Sequence, residues 1–292
     1  MTDNNERLLR GFVDREAQVG HFSQIVTGAG RGVVAIWGES GKGKSSLRAK
    51  LYHEASLRGL QRSEVVVKST TGNDYLSILR KIRDDLGASS FPYFTDRCNY
   101  FTKPEYEVKF NLQGANISIA ENTKMVATQI DEMVGVKITD SNINIIRSDL
   151  GIEASATRAQ LTEAFFVNLE AVATDKPIVI LIDTIEKLQK DTLLWLKEDF
   201  VEKILCGTTK VVCCIFGQQN IELRNAYHHF NELIVEEELP PLGEAHIEEY
   251  LVNRGIDAVA ARGLAAMLKN FTHGNPMQVA LAADAFLTGI KK

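Results

Sequence analysis

Apolar runs and helical stripes alternate along most of the chain. GVVAIW (32–37), EVVVKST (64–70), PIVILID (177–183), KVVCCIFG (210–217) and ELIVEEEL (232–239) are short, rich in β-branched residues and bounded by turn formers, which predicts five strands. Between them, REAQVGHFSQIV (15–26) turns Ala17, Phe22, Ile25 and Val26 to one face of a helix. SSLRAKLYHEASLRG (45–59) reads as a helix stopped by Gly59, and NDYLSILRKIRDDLG (73–87) as one capped by Asn73 or Asp74. RAQLTEAFFVNLEAVA and DTLLWLKEDFVEKIL continue the helical series. The rhythm fails between Ala88 and about Ser155, where EVKFNLQGANISIA alternates around Gln113-Gly114 as a hairpin, so the region reads as an insertion. After Pro240-Pro241 the pattern is entirely helical.

Strands alternating with helices predict an α/β fold with a parallel sheet covered by helices. The shift at Pro240-Pro241 predicts two domains: residues 1–240, with an insertion at about 88–155, and a small helical domain over 241–292. The aromatic stretch FPYFTDRCNYF in the insertion suits either a satellite core or a partner-binding surface, and satellite packing is the commoner use of such a stretch.

Composition narrows the picture. A net charge of −5 weighs against general nucleic-acid binding, which asks for a basic surface. The opening MTDNNERLLRGF lacks the apolar core of a signal peptide, and no apolar run approaches the roughly 18 residues of a membrane span. Cys98, Cys206, Cys213 and Cys214 show no paired spacing and read as core-filling thiols in a reducing cytoplasm. His228 and His229 are adjacent, and neighbours in sequence do not face each other on an α-helix, so the pair predicts no metal site. His273 reads as a turn residue.

Gly38-Glu39-Ser40-Gly41-Lys42-Gly43-Lys44-Ser45 matches G-x-x-x-x-G-K-[ST], placed between a buried strand and a helix. In such a loop the glycines let successive backbone N–H groups, here from Gly41 to Ser46, point into one concave nest, and the following helix adds its positive end. Lys44 supplies a mobile cation for terminal phosphates, and Ser45 a hydroxyl for Mg²⁺. Lys42 lies outside the defining positions of the pattern and reads equally as a solvated residue. Five apolar residues, Ile178 to Ile182, end in Asp183; a carboxylate there belongs at the strand's carboxyl edge, where it is placed to hold the metal's water shell. Glu186 is the candidate for orienting a water, with a first-turn acid favoured by the helix dipole as the equal alternative. The absence of an Asn-Lys-x-Asp motif leans towards adenine over guanine.

With these features in place, the chain resembles the STAND class of signalling P-loop ATPases, within the wider AAA-like branch. GFVDREAQVGHF is similar to the F-V-G-R-E segment that precedes the loop in that class, which implies that Phe12 and Val13 pack around the adenine. VILIDTIEKL looks like its metal-site strand, and THGNPMQVAL resembles the G-x-P element of the small helical domain, with Gly274 and Pro276 in the matching places. The resemblance implies ATP and ADP as ligands with Mg²⁺, a closed ADP state, and opening and self-association on ATP binding. It implies a protein partner met through the insertion or through that self-association. Gln218 stands where members of the class often carry an arginine, and Thr184 stands where a second acid is common. An amide cannot neutralise developing charge, so both departures predict slow hydrolysis. Other readings are an AAA-like DNA-associated loader or transposition regulator, a scaffold with a structural nucleotide, and a P-loop kinase; the last lacks an arginine-rich lid.

Overall fold

Buried strands rich in β-branched residues build the centre of the molecule. The computed structural model describes residues 12–70, 72–102, 108–112, 115–119, 151–174 and 176–290. The expected turn at Gln113-Gly114 and residues 120–150 of the expected insertion lie outside them. In chain order the elements begin α1 (Glu16–Thr27), β1 (Gly32–Trp37), α2 (Lys44–Leu57), β2 (Arg62–Val66) and α3 (Tyr75–Leu86). Next come α4 (Pro92–Thr102), β3 (Val108–Leu112), β4 (Ala115–Ile119), α5 (Gly151–Val172) and β5 (Ile178–Asp183). The chain continues through α6 (Lys190–Trp195), α7 (Val201–Cys206), β6 (Val211–Gly217), α8 (Leu223–Ala226) and β7 (Ile234–Glu238). It finishes with α9 (Glu244–Asn253), α10 (Ala258–Thr272) and α11 (Pro276–Ile290).

Five parallel strands lie in the order β2-β5-β6-β1-β7, the expected α/β sheet, with β5 and β6 interposed between β1 and β2. All of β5 and all of β6 are buried, as their uninterrupted apolar runs require in a parallel sheet covered on both faces. Phe22, Leu47 and Leu51 pack from α1 and α2 onto Val34, Ile36, Val179 and Phe216. Cys213 and Cys214 are buried free thiols, and burial pushes both well up from the usual thiol range.

Several local expectations shift. On α1, Ala17 is exposed and Gln18 is buried in its place, because the Gln18 amide donates to Glu237 Oε2 over 3.0 Å. The cap of α3 is Asp74, which accepts from Ser77 N at 2.9 Å. β2 begins at Arg62 and ends at Val66, before the polar Lys68-Ser69-Thr70. The long helix expected over 191–205 is interrupted by a π-helical turn, Leu196–Phe200, and Tyr227 caps it from outside with its hydroxyl 2.8 Å from Lys197 O. The His228 and His229 rings do sit side by side, with centroids 3.8 Å apart, because their segment is a 3₁₀ turn in which Phe230 leaves helical geometry.

Edge strand β7 carries three consecutive glutamates, each with a partner. Glu236 accepts the N–H groups of Leu223 and Arg224, Glu237 lies 2.6 Å from His21 Nδ1, and Glu238 pairs with Lys42 at 2.7 Å. The helices α9 to α11 share a core of their own, built from Leu242, Ile247, Leu251, Ala261, Ala265 and Val279, to which Val13 also contributes. Among the described residues no helix is long and apolar enough to cross a membrane.

Residues Phe91–Asn168 form a separate compact unit. Within it Phe91 stacks on Phe165 at 5.3 Å, Phe94 meets Phe165 edge-on at 5.4 Å, and Phe94 N donates to Asn168 Oδ1. Phe91 and Phe94 are thus satellite core, whereas Tyr93 and Tyr100 are exposed. β3 and β4 pair antiparallel in register Val108 to Ile119, the expected hairpin.

Candidate functional site

At the carboxyl ends of β1, β5 and β6 a cleft of about 1080 Å³ opens between the sheet and the C-terminal helices. That volume lies at the upper end for small-molecule and cofactor sites. Its floor is the loop that joins β1 to α2. Gly43 caps α2 at φ 90°, and Gly41 sits at φ 85°. Both angles suit glycine, the conformational freedom that the expected nest of N–H groups requires. Ser40, Gly41, Gly43, Lys44, Ser45 and Ser46 all line the cleft. Lys44 Nζ donates to Gly38 O and, over 2.9 Å, to Glu39 O. Burial lowers the Lys44 pKa, while Glu186 and Asp183 oppose that shift.

Asp183 ends β5 and is buried at 4% exposure. Burial raises its pKa; the Arg48 guanidinium and hydrogen bonds from the backbone and hydroxyl of Thr184 pull it the other way. Thr184 reaches the carboxylate from a left-handed conformation, φ 67°. A β-branched residue is rarely found there, and such strain marks a position held by its surroundings. Glu186 is exposed on the following 3₁₀ turn and faces the cleft, as does Gln218, just past β6.

Phe12, Val13 and Pro276 also line the cleft. Phe12 is half-buried against the main core, and Val13 belongs to the helical core. Pro276 opens α11 beside Gly43. Three of the sequence candidates stand off the wall. Gly38 is behind the loop, its N–H bonded to Gly217 O; Glu39 offers a carbonyl to Lys44; and Lys42 turns away to Glu238.

Sequence reasoning passed over several residues that build the site. Arg15 is buried, and its guanidinium donates to Lys42 O over 3.2 Å and to Pro240 O over 3.0 Å, clamping the loop to the start of the helical segment. Burial lowers its pKa and Asp14 opposes this. The clue was the charged pair in FVDRE, of which only the apolar half was used. Asn275 caps α11 by accepting from Met277 N and Gln278 N, and Met277 N also donates to Gly41 O over 3.1 Å. Gly274, by contrast, was singled out in the sequence beside Pro276; at φ 73° it lets the chain pass Leu242, whose carbonyl would lie 2.3 Å from an added Cβ. Tyr250, Asn253, Arg254 and Asp284 form the far wall from the helical side; Arg254 donates to Tyr250 Oη over 3.0 Å and pairs with Asp284.

The donor set fits a phosphorylated ligand with a hard cation. A nest of N–H groups, a lysine and a helix N-terminus suit phosphate, while the Ser45 hydroxyl and Asp183 carboxylate are all-oxygen donors of the kind Mg²⁺ prefers. Among the described residues no group of three or more His, Cys, Asp or Glu is arranged to hold a metal alone. Mg²⁺ takes most of its shell from phosphate and water in such sites.

No protein-family model matches the chain, and no curated protein matches it. Among solved structures it is similar to Cdc6p from Pyrobaculum aerophilum, at 14% identity and TM-score 0.48, covering 94% of this chain and 62% of that one. It is similar to Drosophila ORC bound to DNA, at 12% identity and TM-score 0.48, covering 99% and 64%. A third, the Aeropyrum pernix ORC1 protein in complex with DNA, has 16% identity and TM-score 0.41, covering 92% and 58%. The chain therefore spans less than two thirds of each. Likenesses of this depth assign no residue and no activity.

Proposed function

We propose that the chain binds Mg·ATP and works as a nucleotide-dependent switch with slow hydrolysis, of the STAND type, in signalling or defence. One observation carries the reading. The loop that fits phosphate, Asp183 and the N-terminus of α11 meet around one cleft, and α11 is hydrogen-bonded to the loop through Met277 N and Gly41 O.

Lys44 exchanges its bonds to Gly38 O and Glu39 O for phosphate oxygens, and the N–H groups of Gly41 to Ser46 hold the same phosphates. Ser45 and Asp183 hold the metal and its water. When bound, Mg²⁺ supplies charge neutralisation on the phosphates. Glu186 orients a water, and Gln218 donates an amide hydrogen bond without neutralising charge. Phe12 and Val13 flank the base. Arg15 and Pro276 couple the loop to α9–α11, so that occupancy of the loop changes how those helices dock. Self-association and a protein partner at the 88–155 region follow from the same reading.

The test is made on protein purified without added nucleotide. Chromatography of the material released on denaturation, followed by phosphate release from fresh Mg·ATP, should give bound ADP and few turnovers. An empty site with steady multiple turnover would replace the switch with a working ATPase. Salt-steep binding of duplex DNA would move the reading to the DNA-associated class.

A further inference from the structure

Arg48 is the one charged side chain among the buried residues of α2, which are otherwise Leu47, Ala49, Leu51 and Ala55. Its side chain is 8% exposed and is placed between two carboxylates from neighbouring strands. Nε lies 3.3 Å from Glu64 Oε1 on β2 and 3.5 Å from Asp183 Oδ2 on β5. Neither Arg48 Nε nor Glu64 Oε1 makes a hydrogen bond. The cation is held by charge rather than by directed bonds. Such a buried ion stabilises a fold poorly compared with an apolar residue of similar size. Packing alone therefore gives no reason for an arginine at this position, and its proximity to Asp183 does.

We propose that Arg48 is the counter-ion of Asp183, shared with Glu64, and that it competes with the divalent cation for the Asp183 carboxylate. The guanidinium thereby sets the metal concentration at which the site loads. This rests on reading the loop and Asp183 as a Mg·nucleotide site. A monovalent cation beside a metal-holding carboxylate lowers that carboxylate's pull on Mg²⁺, and Glu64 moderates the effect by sharing Arg48. Removing the guanidinium frees Asp183 for the metal. Removing the Glu64 charge gives Arg48 wholly to Asp183 and withdraws it from the metal. Two neighbouring substitutions must then move the Mg²⁺ requirement in opposite directions.

The experiment uses the full chain and a fluorescent ATP analogue, titrating Mg²⁺ in wild type, Arg48→Gln and Glu64→Gln, with the ligand-free melting temperature recorded for each. The half-saturating Mg²⁺ concentration should fall by roughly five- to tenfold in Arg48→Gln and rise by a similar factor in Glu64→Gln. If Arg48→Gln does not fold, the direction of the Glu64→Gln shift decides alone. Variants that melt lower yet keep the wild-type Mg²⁺ midpoint would reduce Arg48 to a strut between α2 and the sheet and overturn the proposal. A wild-type chain that binds the analogue without regard to Mg²⁺, or not at all, would overturn the underlying site reading itself.

Discussion

The backbone N–H of Met277 donates to the carbonyl of Gly41 over 3.1 Å. Asn275, which caps α11, reaches the same loop, with Nδ2 3.5 Å from Ser40 O. The loop between β1 and α2 and the C-terminal helices therefore share a seam to which the loop contributes only backbone.

That seam leaves no room at Gly41. An added Cβ would lie 2.8 Å from Asn275 Oδ1 and 3.1 Å from Met277 Cβ, at a φ of 85° that disfavours any side chain. Gly41→Ala should loosen α11 from the loop and raise hydrogen exchange at the Met277 amide at least tenfold, while the strands exchange as in wild type. Exchange at Met277 unchanged from wild type would show that the seam tolerates the methyl group.

Lys44→Ala removes the only lysine on the cleft's loop wall and should weaken ATP binding about 10- to 100-fold with the circular dichroism spectrum intact. Calorimetric titration measures it. Wild-type affinity in the variant would remove the loop from the binding site.

Thr184 combines a useful hydroxyl with a costly φ of 67°. Thr184→Ala keeps the backbone strain and loses the bond to Asp183, whereas Thr184→Gly loses the bond but relieves the strain. Chemical denaturation should find the glycine variant more stable than the alanine variant by about 1 kcal/mol. Equal stabilities would mean that the left-handed turn costs nothing here.

Tyr227 serves the π-helical turn, so Tyr227→Phe should cost about 1 kcal/mol at neutral pH through the lost hydrogen bond to Lys197 O. The phenol also gives a pH signature. Its pKa is raised from 10.0 to about 12, first by burial and then by the charges of Glu202, Cys206, Glu198 and Asp199. Between those values the folded chain keeps a proton that the unfolded chain has lost, so stability falls as pH rises through the window. Urea midpoints measured across it should drop more steeply for wild type than for Tyr227→Phe.

The central strands were legible because β1, β5 and β6 are buried on both faces and need unbroken apolar runs. Asp74 was legible as one of two candidate caps, since a cap is a local contact. The π-helical turn was not, because it is a matter of backbone hydrogen bonding, supported by a contact from Tyr227 about thirty positions away. Ala17 was expected on the buried face, where Gln18 sits instead, because its buried amide is stabilised by Glu237, more than two hundred positions away in sequence. At the site, a fixed spacing picked out Gly38 to Ser45, and a charge ending an apolar strand picked out Asp183. Arg15, Arg48 and Asn275 act through tertiary neighbours, and helices give charged residues many ordinary uses. Arg48 did leave one trace, a cation between the apolar Leu47 and Leu51.

The strand order has a consequence for synthesis. Among the described strands β1 pairs only with β6 and β7, and Gly32 meets Val212. At ribosomal rates of about 5–20 residues per second, the partner of β1 is made roughly 10–35 s after β1 itself. Through that interval Val33, Val34 and Ile36, all buried in the finished sheet, have no strand beside them. A chain arrested before β6 should therefore be bound by chaperones that hold extended apolar segments, and release should coincide with the emergence of β6 rather than with the end of translation.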